Sequence, residues 1–303
     1  MLEFRDIDIT DKERITKALQ HSQFMGCEYS FANNMAWKRL GESQIAFYKD
    51  FYICCTFRTE DGIPHFFLPS GDGDYKDVIN EMRRYSDALG KPLKVAGITA
   101  KSLGSLKVMF PDGFTYATDE GDWDYIYNSV DLAELSGKKY HGKRNHLARF
   151  NELNAEFSLI TEKDFDDCIT FSTNEYNSKY AMSDHSFIAE QYAINTYFNY
   201  FGELGLTGGI IRIDGEIAAF TIGEPLNQET YCIHIEKANT SFNGIYAGIN
   251  NCFAKTFAAD YRYINREEDL GENGMRSSKR SYHPDLLQEK FIAEWHGKES
   301  DLC

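Results

Sequence analysis

The sequence predicts an α/β fold in two tandem halves, each built on a mixed α+β sheet, and three observations predict it. A strand, a glycine-containing bend, a helix and a further strand occupy residues 64–99, and the same order returns over 230–265. Each half also has a strand pair turned at an Asp-Gly dipeptide, Asp61-Gly62 in the first and Asp214-Gly215 in the second. A length of 303 residues suits two cores better than one, since domains usually hold ~100–200 residues. The halves are expected as residues 1–154, ending in a linking helix, and 155–303.

The elements follow from local pattern. Ile15, Leu19 and Phe24 carry helical spacing over 11–23. Residues 45–57 and 64–69 read as two strands. After the bend Ser70-Gly71-Asp72-Gly73, a helix is expected over 74–89 because Val78, Met82, Tyr85 and Leu89 share a face, with Asp74 to cap its start and Gly90 its end. A strand over 93–99, a short helix from about Lys101, an acidic turn-rich stretch over 112–124 and an aromatic strand over 123–127 complete the first half. A partly basic helical region then spans 132–154.

In the second half, helices are expected over 164–176 and 184–201. Strands over 208–213 and 216–222 flank Asp214-Gly215, whose residues readily take the positive φ of a two-residue hairpin turn. A strand over 230–236 precedes a helix over 245–260, marked by Ile245, Ile249, Phe253 and Phe257. A strand over 261–265, a short helix over 272–281, Pro284 as a stop and a strand over 287–295 finish the chain.

Composition narrows the function. With 42% apolar and 15% aromatic residues there is ample material for globular cores. A net charge of −15 disfavours broad nucleic-acid binding, leaving two basic clusters able to face a phosphate. These are Lys138-Lys139-Tyr140-His141-Gly142-Lys143-Arg144-Asn145-His146 with Arg149, and Arg276 with Lys279-Arg280, each of which reads alternatively as a solvated helix face. Seven cysteines without a CxxC pair fit neither a disulfide framework nor a zinc site, and His141 and His146 make no ligand spacing, so no metal is expected. With no transmembrane segment and no secretory signal, the chain is expected in the cytoplasm.

Chemistry concentrates between residues 208 and 284. Ser241, Phe242, Asn243, Gly244, Ile245 and Tyr246 form a glycine bend at a helix start directly after a strand, where unpaired N–H groups and a positive dipole end suit a phosphate. Glu236 closes that strand and reads either as a general base or as an exposed strand-end carboxylate. His234, on the same face, reads as a helper or as a packed histidine. Asn265, Arg266, Asp269, Arg276, Lys279 and Tyr282 mix acids and bases just past a strand, where α/β sheets place ligands. There the cations would hold an anionic donor while Tyr282 protonates the leaving group.

The Asp214-Gly215 hairpin, Glu236, Asn243-Gly244 and the run Asn265-Arg266-Glu267-Glu268-Asp269-Leu270-Gly271 resemble an uncharacterised bacterial family. Arg276-Ser277-Ser278-Lys279-Arg280-Ser281-Tyr282-His283-Pro284 and the 125–146 segment extend the likeness over nearly the whole chain. That family is related to the C-terminal catalytic domain of phosphatidylglycerol lysyltransferase. The resemblance implies two acetyltransferase-like (GNAT-type) domains in tandem, akin to the peptidoglycan-branching aminoacyltransferases. It further implies acyl or aminoacyl transfer, from a coenzyme A thioester or an aminoacyl-tRNA, to an amine or hydroxyl of a small-molecule, lipid or cell-envelope acceptor. By analogy Asp269, Arg276 and Lys279 line the donor or acceptor site, and the bend from Ser241 holds the coenzyme A pyrophosphate if that is the donor. A non-catalytic ligand- or protein-binding module on the same fold is the alternative.

Overall fold

The computed structural model describes residues 1–177, 185–257 and 260–297. In chain order it contains α1 (Lys12–Ser22), α2 (Phe31–Trp37), β1 (Ser43–Tyr48), β2 (Phe51–Thr56), β3 (His65–Phe67), α3 (Tyr75–Ala88), β4 (Lys94–Ile98), α4 (Ala100–Met109) and β5 (Phe114–Thr118). Then come β6 (Asp124–Asn128), α5 (Ser129–Glu134), α6 (His141–Asn151), β7 (Ala155–Leu159), α7 (Phe165–Asn177), α8 (His185–Asn199) and α9 (Phe201–Leu204). The rest is β8 (Thr207–Ile213), β9 (Glu216–Pro225), β10 (Thr230–Ala238), α10 (Ile245–Phe257), β11 (Tyr263–Asn265), α11 (Asn273–Arg280), β12 (Leu286–Gln288) and β13 (Phe291–Trp295). Asp184 lies outside the described residues, as do residues 258–259 near the expected end of α10. Among the described residues no helix is long and apolar enough to cross a membrane.

Strong local signals produce the expected elements. Asp74 accepts the N–H groups of Lys76 and Asp77 at the start of α3, whose Val78 and Met82 are buried. The β8–β9 turn takes φ +52° at Asp214 and +87° at Gly215. Differences arise where the signal is weak. The expected strand over 45–57 is a hairpin, because Lys49 takes the left-handed turn at φ +53° without a glycine to announce it. The acidic 112–124 stretch hides the largely exposed β5, and β7 was likewise unmarked. The helical region over 132–154 is broken at Leu135 (φ +52°) and Gly137 (φ +85°) into α5 and α6. The last expected strand divides into β12 and β13.

The chain forms two compact units, Met1–Trp123 with Gln288–Cys303, and Asp124–Leu287. The first holds a six-stranded sheet, β1-β2-β3-β4-β13-β5. The second holds seven strands, β12-β6-β11-β10-β9-β8-β7. In each, one parallel pair is joined through a helix: β3 with β4 across α3, and β10 with β11 across α10. The repeat expected from sequence is therefore present as topology. The junction expected near residue 155 falls inside the second unit. The reason is strand exchange: β6 leaves the N-terminal half to pair with β11, and β13 leaves the C-terminal half to pair with β4 and β5. Phe66, Val78, Met82, Val95 and Trp295 share one core in the first unit. In the second, Tyr127, Tyr231, Phe253 and Tyr282 share one core and Phe150, Ile211 and Ile249 another.

Candidate active site

The second unit opens at its parallel pair. β10 and β11 are in register only from Thr230 opposite Tyr263 to Cys232 opposite Asn265. Beyond that, Arg266 N–H donates to the Tyr125 carbonyl at 3.0 Å and Tyr125 N–H to the Glu267 carbonyl at 3.1 Å, so the chain past β11 follows β6. β10 meanwhile continues along β9 to Ala238, through a bulge at His234. The two parallel strands therefore part, and side chains span the gap.

Arg266 reaches across it. Its Nη2 donates to Glu236 Oε1 at 2.8 Å, with each side chain only 10% exposed. Asn250 of α10 donates to the other Glu236 oxygen at 3.4 Å. Among the described residues, two buried polar atoms here, Arg266 Nη1 and Asn250 Oδ1, have no hydrogen-bond partner, which leaves one donor and one acceptor available to ligand atoms. The Arg266 guanidinium lies 5.0 Å from the Tyr282 ring centre and 5.7 Å from that of Tyr127. Lys143 of α6 stands 3.7 Å from the Tyr282 ring centre. Burial, reinforced by Arg266 and opposed by Glu236, lowers the Lys143 pKa to about 8. Burial raises the Tyr282 phenol to about 12, so it keeps its proton at neutral pH.

The remaining expected residues divide by place. Asp269, 0% exposed, accepts Arg276 Nε at 2.7 Å and Nη2 at 2.9 Å, the Tyr125 hydroxyl at 2.7 Å and Gly271 N–H at 2.9 Å. Burial opposes its charge, but Arg276, Tyr125 and Gly271 outweigh burial and bring its pKa to about 2. Lys279 donates to the carbonyls of Arg266 (2.6 Å), Glu267 (3.2 Å) and Glu268 (2.5 Å). Asn265, fully buried, donates to Asp124 at 2.9 Å and accepts Glu267 N–H at 2.7 Å. Asp269, Arg276, Lys279 and Asn265 thus hold the loop that presents Arg266, whereas Glu236, Arg266 and Tyr282 meet at the gap. Lys143 and Tyr127 were missed as site residues, because their neighbours here are remote in sequence. The basic 138–146 cluster was the available signal for Lys143.

The glycine bend is closed on itself. Ser241 donates through N–H (2.9 Å) and Oγ (2.6 Å) to Asn239 Oδ1, and Phe242 N–H donates to the Asn239 carbonyl at 3.2 Å. Gly244, at φ +85°, faces α6 so closely that a Cβ there would lie 2.1 Å from the His146 carbonyl oxygen. Burial, reinforced by Glu236, pushes the Tyr246 phenol up to about 12. Within the bend from Ser241 through Phe242, Asn243, Gly244 and Ile245 to Tyr246, Gly244 therefore seats α10 against α6.

His234 has a completely buried side chain. Its Nδ1 lies 2.8 Å from Glu267 and its Nε2 3.2 Å from Glu224, and its ring stacks on Tyr197 at 5.5 Å. With a carboxylate on each nitrogen the ring is an imidazolium. Burial works against that charge, yet Tyr197, Cys232 and Glu224 raise the pKa well above its usual value. Cys232 Sγ, His234 Nδ1 and Glu267 Oε1 lie within 4.8 Å of one another, but an imidazolium offers no lone pair to a metal. His234 instead joins the β10 bulge to the loop after β11. A raised pKa contributes stability in full below the unfolded value of ~6.5 and loses it as pH rises through the folded value. Urea midpoints should therefore fall from pH 6 to 10, while H234Q should start about 3 kcal/mol lower and lack that slope. Parallel slopes would show that the imidazolium does not join these elements.

A family model described as phosphatidylglycerol lysyltransferase, C-terminal, matches residues 20–294. A solved structure of a conserved protein of unknown function from Bacteroides thetaiotaomicron VPI-5482 is 35% identical, with TM-score 0.92 over 98% of this chain and 100% of that one. The C-terminal domain of a putative lysylphosphatidylglycerol synthetase from Agrobacterium fabrum is 15% identical, with TM-score 0.67 over 96% of this chain and 95% of that one. FemX is 8% identical, with TM-score 0.61 over 96% of both chains. The last two likenesses concern the fold, which is the tandem acetyltransferase-like arrangement of the two mixed sheets.

Proposed function

Because this chain belongs to the phosphatidylglycerol lysyltransferase C-terminal family, we propose that its second unit transfers an aminoacyl group from aminoacyl-tRNA to a hydroxyl of a lipid-like acceptor. The observation that carries this reading is the gap between β10 and β11, where Arg266 Nη1 and Asn250 Oδ1 are buried beside Glu236 without partners among the described residues. An ester carbonyl placed there meets the Arg266 donor, which stabilises the oxyanion as the acceptor oxygen attacks. Glu236 and Asn250 Oδ1 accept from the donor's ammonium group and align it. Glu236 is tied to Arg266, and Tyr282 holds its proton tightly, so both act by positioning here instead of as base and acid. The closed bend at Gly244 is the reason for choosing aminoacyl-tRNA over a coenzyme A thioester.

Thermal unfolding and transfer assays test this together. A charged tRNA at ~100 times its dissociation constant should stabilise the protein by ~2.7 kcal/mol, an effect weakened by salt. Coenzyme A and acetyl-coenzyme A should leave the melting temperature unchanged. With phosphatidylglycerol vesicles, radiolabelled amino acid should move from tRNA into the lipid fraction. Stabilisation by acetyl-coenzyme A without transfer from tRNA would overturn the reading. Stabilisation by tRNA without transfer to any acceptor would favour a binding module.

A further inference from the structure

Among the described residues, Lys143 is the one cation at the gap that neither donor chemistry nor loop structure explains. Its half-buried ammonium rests on the Tyr282 ring, and no carboxylate pairs with it among the described residues. Its helix is fixed: Gly244 lets α10 approach the α6 backbone, and Gly248 makes room for the Phe150 ring. The groups acting on it are Arg266 from the loop after β11, Glu236 from β10 and the Tyr282 phenol after α11. On α10, burial and Glu236 push the Tyr246 phenol up to about 12, so it keeps its proton.

We propose that Lys143 is the proton-transfer residue of this site, a role that rests on the transferase reading above. A neutral amine there takes the proton of the acceptor hydroxyl while the acceptor oxygen bonds to the aminoacyl carbonyl carbon. When the tetrahedral intermediate collapses, the bond to the ribose oxygen breaks and the Lys143 ammonium returns the proton to that oxygen. The cycle uses no oxidant and no net proton. Its surroundings suit the task, because partial burial and the Arg266 charge bring the amine to about 8, close to working pH. A paired or exposed lysine remains protonated there. Tyr282 carries the ammonium form on its ring, which limits the energy difference between the two states.

The test compares wild type, K143A and K143R in transfer from aminoacyl-tRNA to phosphatidylglycerol vesicles. Wild-type kcat/KM should rise with pH through about 8 and then level. Both variants should lose ~10²–10⁴-fold and the rising limb with it, since arginine keeps the charge but releases no proton. Added primary amines should partly restore K143A and not K143R. A K143R protein that keeps wild-type rate and pH profile would overturn the role, showing that only positive charge is needed. So would a slow K143A that no amine restores. If wild type itself transfers nothing from any charged tRNA, the transferase reading fails, and that result differs from an active wild type with an equally active K143R.

Discussion

Replacing Arg266 with alanine should abolish measurable transfer and lower stability by about 3–5 kcal/mol, because it leaves the Glu236 carboxylate buried without its partner. Both effects come from one side chain, and a double variant separates them. Paired apolar substitution of buried ion pairs is often neutral or stabilising, so E236L/R266M should recover most of the stability lost by R266A and none of the activity. Urea unfolding and initial rates of transfer measure the two. Losing an oxyanion donor alone costs ~10²–10³ in rate. A double variant that regains both stability and activity would show that the pair only fills the gap between β10 and β11.

Replacing Asp269 with asparagine should destabilise by roughly 3 kcal/mol, since it removes a buried carboxylate that accepts two bonds from the Arg276 guanidinium, one from Tyr125 and one from Gly271. The loop around it contains Glu267 at φ +58° and Leu270 at φ +52°, two non-glycine residues in left-handed conformation. Asp269 and the three carbonyl contacts of Lys279 hold that conformation, and with it the placement of Arg266. Transfer should therefore fall in D269N as well, although Asp269 touches no substrate. The acid limb gives a second check. Asp269 is lowered from 3.8 to about 2, so its contribution is complete above pH ~4 and is lost as pH falls toward 2. The difference in stability between wild type and D269N should shrink over that window. A constant difference would mean that Asp269 acts through shape and not through its charge.

Much of the fold was legible because its signals are local. Asp74 caps its own helix, Asp214-Gly215 makes its own turn, and the spacing of Ile245, Ile249 and Phe253 needs only the α-helical period. β5 and β7 were illegible because exposed edge strands carry little apolar alternation. The Lys49 turn was illegible because a lysine seldom takes φ +53°. For the site, residue type pointed to Glu236, Arg266 and Tyr282. It also pointed to Asp269, Arg276 and Lys279, whose polar groups turn inward to hold a loop.

By itself the sequence determined the two-unit α/β plan, the repeated strand–helix–strand run and the concentration of acids and bases after β11. Those follow from neighbours along the chain, where period, caps and turn chemistry act. Only tertiary structure decided that β6 and β13 exchange halves, that the Gly244 bend seats α6, and that Lys143 stands over Tyr282. Each of these depends on contacts between residues remote in sequence, and the burial that shifts the Lys143 amine exists only once those residues have met.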